Sequence, residues 1–271
     1  MSDPALSSLL DRFGLTAASV AEIWHELQSR VRDEVAAIRA EQAAGGSVPV
    51  VEFSDVASGS VAAADRDAIH RRGCVVVRHT FDRELADRWD RDIADYLATN
   101  RFDDVFAERY PDAAAGSKIW GVYWSRSQVA ARQHPAMRQV RSFLNGFWRH
   151  RSDGAAWFDP HADIGYPDRL RRRAPGVSAR GLPPHSDGVS SGGWRIAENI
   201  HVFRPVLAGD VDAYDPWDAA HRTTLDPESV APSSVFRTFQ GWTALSEMRP
   251  EDGVLHLIPM PLAAAYMFVR G

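Results

Sequence analysis

Cysteine and lysine are almost missing: Cys74 and Lys118 are single occurrences in a chain of 271 residues. One thiol excludes an internal disulfide and a cysteine-rich zinc site. A reducing cytoplasm is the compartment that such usage fits. Long apolar runs are lacking too. The longest, residues 257–269, carries two prolines and falls short of the roughly 20 residues a spanning helix needs. The opening residues MSDPALSSLLDRFG have no basic start followed by an apolar core, so neither a signal peptide nor a membrane partner is expected. There is no excess of positive charge. The net charge of −5 argues against a general nucleic-acid-binding role. Apart from Lys118 every basic side chain other than histidine is arginine, a bias for which codon composition is the simplest account.

What is present is ordinary globular composition. Hydrophobic residues at 45% and charged residues at 25% exclude a disordered chain. The length suffices to bury a core without staples and fits one large domain or two small ones.

The first part, to about residue 150, reads as helical with short strands. Ser19 and Glu22 have capping-box spacing. After them Val20, Ile23, Trp24, Leu27, Val31, Val35 and Ile38 recur at helical spacing until Gly45-Gly46. Residues 48–53 read as a strand, residues 61–72 as a helix stopped by Gly73, and residues 74–77 as a short buried strand. Asp82 is placed to cap a helix running to Asn100, with Leu85, Trp89, Ile93 and Leu97 on one face. Residues 127–150 read as a helix broken at Pro135.

From about residue 151 to 271 the texture changes, with dense Gly, Pro, Asp and aromatic residues. Strand-like runs at 199–203, 235–239, 254–258 and 265–269 are separated by turn residues, the pattern of a sandwich or barrel. No repeat or low-complexity linker divides the two parts, so a single domain over residues 1–271 is expected.

Two His-x-Asp pairs stand out: His161/Asp163 in WFDPHADIGYPDR and His185/Asp187 in GLPPHSDGVSSGGW. On an extended strand, positions i and i+2 face the same side, so an imidazole and a carboxylate can reach one metal. With a second histidine they form the triad that holds non-haem Fe(II) and leaves positions open. For His161/Asp163 a turn before Gly165 is the better reading. His185/Asp187 sits after two prolines that force an extended approach, with Gly188, Gly192 and Gly193 beyond it. The bare spacing there leaves metal binding and a structural role evenly balanced.

The runs IWGVYWSRSQVAARQHPAMRQVRSFLNGFW, YPDRLRRRAPG, GLPPHSDG, YDPWDAAHRT, VFRTFQGWTALSEM and GVLHLIPMPLAAAYMFVR closely resemble the YbiU-like family. This bacterial and fungal family of unknown function is regarded as one of 2-oxoglutarate/Fe(II)-dependent oxygenases. The resemblance covers about residues 20–271. It implies an α+β fold with a double-stranded β-helix (jelly-roll, cupin-like) core and N-terminal helices packed outside. It places the family's His-x-Asp on His185 and Asp187, and makes His256 part of a structural strand. In the family the chain continues past the position of Gly271 with the distal histidine and the closing strands. The sequence therefore resembles the N-terminal two-thirds of a family member, with an incomplete core. Its apolar C-terminal strand would be an exposed edge open to self-association. His201, His221 and His256 are available as substitute third ligands, though each is better read as a surface or hydrogen-bonded histidine.

2-Oxoglutarate as cosubstrate needs a cation for its far carboxylate, ideally a bidentate arginine. Arg237, inside the apolar run VFRTFQGW, is the candidate, with Trp242 and Thr243 as neighbours placed to line the same pocket, though core packing explains Trp242 as well. An outward-facing arginine in an alternating strand remains the competing reading. Arg169, Arg171, Arg172 and Arg173 read as a solvated loop or as partners of nearby aspartates. Trp120, Tyr123 and Trp124 read first as core aromatics, second as an aromatic wall. The expected function is oxidation of a small organic substrate, with no catalytic acid or base singled out. A non-catalytic jelly-roll fragment or ligand-binding protein is the main alternative. A cupin-type hydrolase or isomerase with another divalent ion is a weaker one.

Overall fold

The computed structural model describes residues 13–109, 117–120, 122–162, 168–173, 202–220, 238–249 and 255–270. The first long element is α1, Ala17–Ala43. Its capping box is Thr16/Ser19, one turn earlier than Ser19/Glu22. The Thr16 amide donates to Ser19 Oγ at 2.8 Å, and the Ser19 amide donates to Thr16 Oγ1 at 3.1 Å. Ala17 and Ala18 are strong helix formers, so the helix nucleates ahead of the apolar stripe. Of that stripe, Ile23, Leu27 and Ile38 are buried.

The chain then runs β1 (Val50–Glu52), α2 (Phe53–Ser58), α3 (Ala63–Arg72) and β2 (Val76–Arg78). β1 and β2 pair in parallel, Val51 opposite Val77, joined by the two helices. Asp82 stands at the N-cap of α4 (Arg83–Thr99) as expected, though its side chain makes no capping hydrogen bond. α4 buries Trp89, Ile93 and Leu97. After α5 (Phe102–Arg109) comes β3 (Ser117–Trp120). The predicted break at Pro135 separates α6 (Arg126–Gln133) from α7 (Pro135–Asn145). Pro135 opens α7 at a position where its missing N–H costs nothing. β4 (Arg151–Ser152) and β5 (Ala155–Ala156) form a hairpin. Its turn, Asp153-Gly154, has φ of 52° and 75°, the two positive values that an Asp-Gly hairpin turn supplies. β6 (Leu170–Arg173) pairs antiparallel with β3. α8 (Arg204–Leu207), a single tight turn at Val211–Ala213 and α9 (Leu262–Arg270) complete the described elements.

Three apolar clusters hold these pieces. Ile23 and Leu27 of α1 meet Phe203, Val206, Val211 and Ala265. Ile93 and Leu97 of α4 meet Val122 and Leu170. Val51, Val56 and Ile69 are packed by Phe143 and Phe147.

The four strand-like runs of the second half fare differently. Val202 and Phe203 lie in the tight turn entering α8, and residues 199–201 lie outside the described residues. Thr238–Phe239 and Leu255–Ile258 are irregular, and the rest of those two runs lies outside. Residues 265–269 are helical, which corrects the strand reading. Three successive alanines after Pro261 favour a helix over a β-branched strand. Ala265 is fully buried, with Leu262, Phe268 and Val269 beside it at helical spacing. The run lies against α1, with Trp24 and Tyr266 rings 4.6 Å apart and Phe268 stacked on Phe203 at 4.2 Å. The expected self-association through an exposed C-terminal strand therefore loses its basis.

Arg72 closes the corner where α1, α3 and the approach to α9 converge. Its residue is 2% exposed. Nε and Nη2 donate to both oxygens of Glu41 at 2.7 Å each, and Nη1 donates to Glu34 at 2.8 Å and to the Pro259 carbonyl at 3.5 Å. The next residue, Gly73, has φ +68°, and a Cβ there would meet Pro261 Cγ at 2.8 Å.

Two predictions follow from this packing. Ala265→Glu should cost at least about 3 kcal/mol, because it places an unpaired carboxylate in the α1–α9 core. Met267→Glu, at a 37% exposed position, should be tolerated. Equal effects of the two in denaturant melts would restore the strand, in which both positions share a face. The second concerns pH. The hydrogen bonds from Arg72 hold the Glu41 carboxyl below its ordinary range, with burial acting the other way. The stability it contributes is present above the ordinary glutamate value, about 4.3, and is lost as pH falls through the lower folded value. Glu41→Gln should flatten the acid limb of stability against pH, and an unchanged limb would refute the assignment.

Candidate functional site

His185, Asp187 and Arg237 lie outside the described residues, as do Asp163, His201 and His221. The remaining seven of the ten histidines are described. His134 Nδ1 accepts the Ala136 amide at 3.2 Å and so caps α7. His70 stacks on Trp217 at 5.0 Å. His79 Nδ1 lies 2.6 Å from Glu52 Oε2, and His150 Nδ1 lies 3.2 Å from the Trp148 carbonyl. His25, His161 and His256 are exposed. The His161 amide donates to Asp159 Oδ1 at 2.9 Å, so a turn does form there, set by Asp159. His256 sits in an irregular segment, which corrects its expected place in a strand. Among the described residues no group of three or more His, Cys, Asp or Glu could hold a metal ion. A triad therefore cannot be assembled from them alone.

Burial pushes the Cys74 thiol up to about 11, with the charge of Arg72 pulling the other way. The thiol stays protonated at neutral pH and is a poor nucleophile.

The structure also shows what the distinctive motifs do. The strings IWGVYWSRSQ and YPDRLRRR meet at Gln128, which is 3% exposed. Its Nε2 donates to the Val122 carbonyl at 2.7 Å and to the backbone and side-chain oxygens of Asp168 at 3.0 Å each. Arg132 pairs with the Asp168 carboxylate and donates to the Tyr123 carbonyl at 2.7 Å. This node fastens the segments flanking β3 and β6 to α6. Arg171–Arg173 accordingly lie in a strand, which corrects the loop reading.

YDPWDAAH and VFRTFQGW meet in the same way. Trp217, 5% exposed, has Trp148, Phe147 and Phe239 at ring-centroid distances of 5.4, 6.1 and 5.7 Å. Its indole N–H donates to the His70 carbonyl at 2.9 Å. Trp217 was not singled out from the sequence. The Asp-Pro-Trp string marks a turn, and only tertiary contacts reveal the hub.

Two expected core aromatics face water. Trp124 is 74% exposed, with the Arg132 guanidinium 5.4 Å from its ring centroid. Trp242 is 54% exposed, and Thr243 is exposed beside it. An open groove of about 330 Å³ runs along α4, lined by Asp92, Asp95, Tyr96, Thr99, Asn100 and Arg126. No described helix is long and apolar enough to cross a membrane.

Helices bracketing small two-stranded sheets place the described part among mixed α and β proteins. A Gig2-like family model matches residues 9–271, and the chain belongs to that family. It is 42% identical over 260 residues to the uncharacterized protein YbiU of Escherichia coli (strain K12), covering 93% of this chain and 62% of the relative. It is also similar to the solved structure of the hypothetical protein JW0805 from Escherichia coli, with TM-score 0.84, 41% identity, and coverage of 98% of this chain and 64% of that one. A third likeness is to the "Putative Oxidoreductase from Salmonella typhimurium LT2", with TM-score 0.83, 37% identity, and coverage of 100% and 67%. The chain spans about three-fifths of the length of the Escherichia coli relatives.

The hub and the exposed indole give a paired prediction. Trp217→Ala should cost roughly 3–5 kcal/mol, the range for a large buried aromatic. Trp124→Ala should cost no more than about 1 kcal/mol, since it loses one exposed cation–π contact. Urea unfolding of both variants reads the difference, and a comparable loss at Trp124 would contradict its exposure.

Proposed function

We propose that the chain is the metal-bearing part of a non-haem Fe(II)/2-oxoglutarate-dependent oxygenase that hydroxylates a small organic substrate in the cytoplasm, built on a double-stranded β-helix core. The observation that carries the reading is the His185-x-Asp187 pair in GLPPHSDG. Family membership and the oxidoreductase name of the Salmonella relative support it.

The donor chemistry fits ferrous iron. A neutral imidazole nitrogen from His185 and a hard carboxylate from Asp187 would hold the ion without saturating it. Arg237 would pair with the far carboxylate of 2-oxoglutarate, because a guanidinium matches a carboxylate bidentately. Iron with 2-oxoglutarate supplies dioxygen activation when bound. The described part contributes the scaffold: the Gln128–Arg132–Asp168 node anchors β6, the last described strand before His185, and Trp217 anchors Phe239, two residues after Arg237.

The test is an anaerobic titration of Fe(II) and 2-oxoglutarate, run on this chain and on the Escherichia coli relative, following the visible charge-transfer band. The band is expected in the wild type. His185→Ala and Asp187→Ala should abolish it, and His161→Ala should leave it unchanged. Arg237→Met should raise the 2-oxoglutarate concentration needed, by roughly tenfold or more for a lost charge-assisted pair. A folded relative that gives no band would reject the oxygenase reading.

A further inference from the structure

We draw no further inference here: the strongest candidate, the solvent-facing indole of Trp124 propped on Arg132 of α6, carries none because nothing in the structure shows what covers it.

Discussion

A guanidinium taken out of water must have its donors answered by oxygen, and the Arg72 corner meets that demand. Both Glu41 oxygens, one Glu34 oxygen and the Pro259 carbonyl converge on it. The two carboxylates come from α1, the cation from α3, and the carbonyl from the approach to α9. One desolvated charge thus fixes the mutual position of three parts of the chain far apart in sequence. Such a cluster is not a large net source of stability, because desolvation offsets much of the attraction. Its effect lies in the penalty for any other arrangement, which would leave a buried cation without partners. Gly73 extends the constraint, since its left-handed turn leaves no room for a Cβ beneath Pro261.

Four of the six motif strings that make this sequence distinctive pair up as neighbours in space where they are described. Asp168 of one string answers Gln128 and Arg132 of another, and Phe239 of a third packs on Trp217 of a fourth. Long, unusual strings of this kind are therefore accounted for by mutual fit. For the same reason they say little about chemistry, which a fold can host in many forms.

Much of the first part of the fold could be read from sequence. The stripes of α1 and α4, the stop at Gly73 and the break at Pro135 rest on local rules, namely helical period, positive φ and the missing proline N–H. The Asp153-Gly154 hairpin follows from its turn residues by a rule of the same local kind. Among the later runs, the strand reading of residues 265–269 failed where local rules are weakest. A short apolar run is compatible with either a strand or a buried helix, and at residues 265–269 the alanines and the facing surface of α1 decided for helix. Trp124 and Trp242 misled in a similar way, because hydrophobicity predicts burial only on average. Of the site residues, His185 and Asp187 rest on their spacing together with the family resemblance, and Arg237 on its place in an apolar run; all three lie outside the described residues.

The chemistry left to the described residues narrows usefully. Cys74 is held protonated by burial, so thiolate attack is not available near neutral pH. Among the described histidines, His134 spends Nδ1 on a helix cap and His70 lies flat on Trp217. Arg72 and Arg132 are committed to carboxylates. The buried polar groups at these corners therefore serve the packing. The His-x-Asp pair of GLPPHSDG stands as an expectation from sequence, since prolines before it and glycines after it favour an extended backbone by local rules. A carboxylate and an imidazole two residues apart on such a backbone face one side, the arrangement that a shared ligand requires.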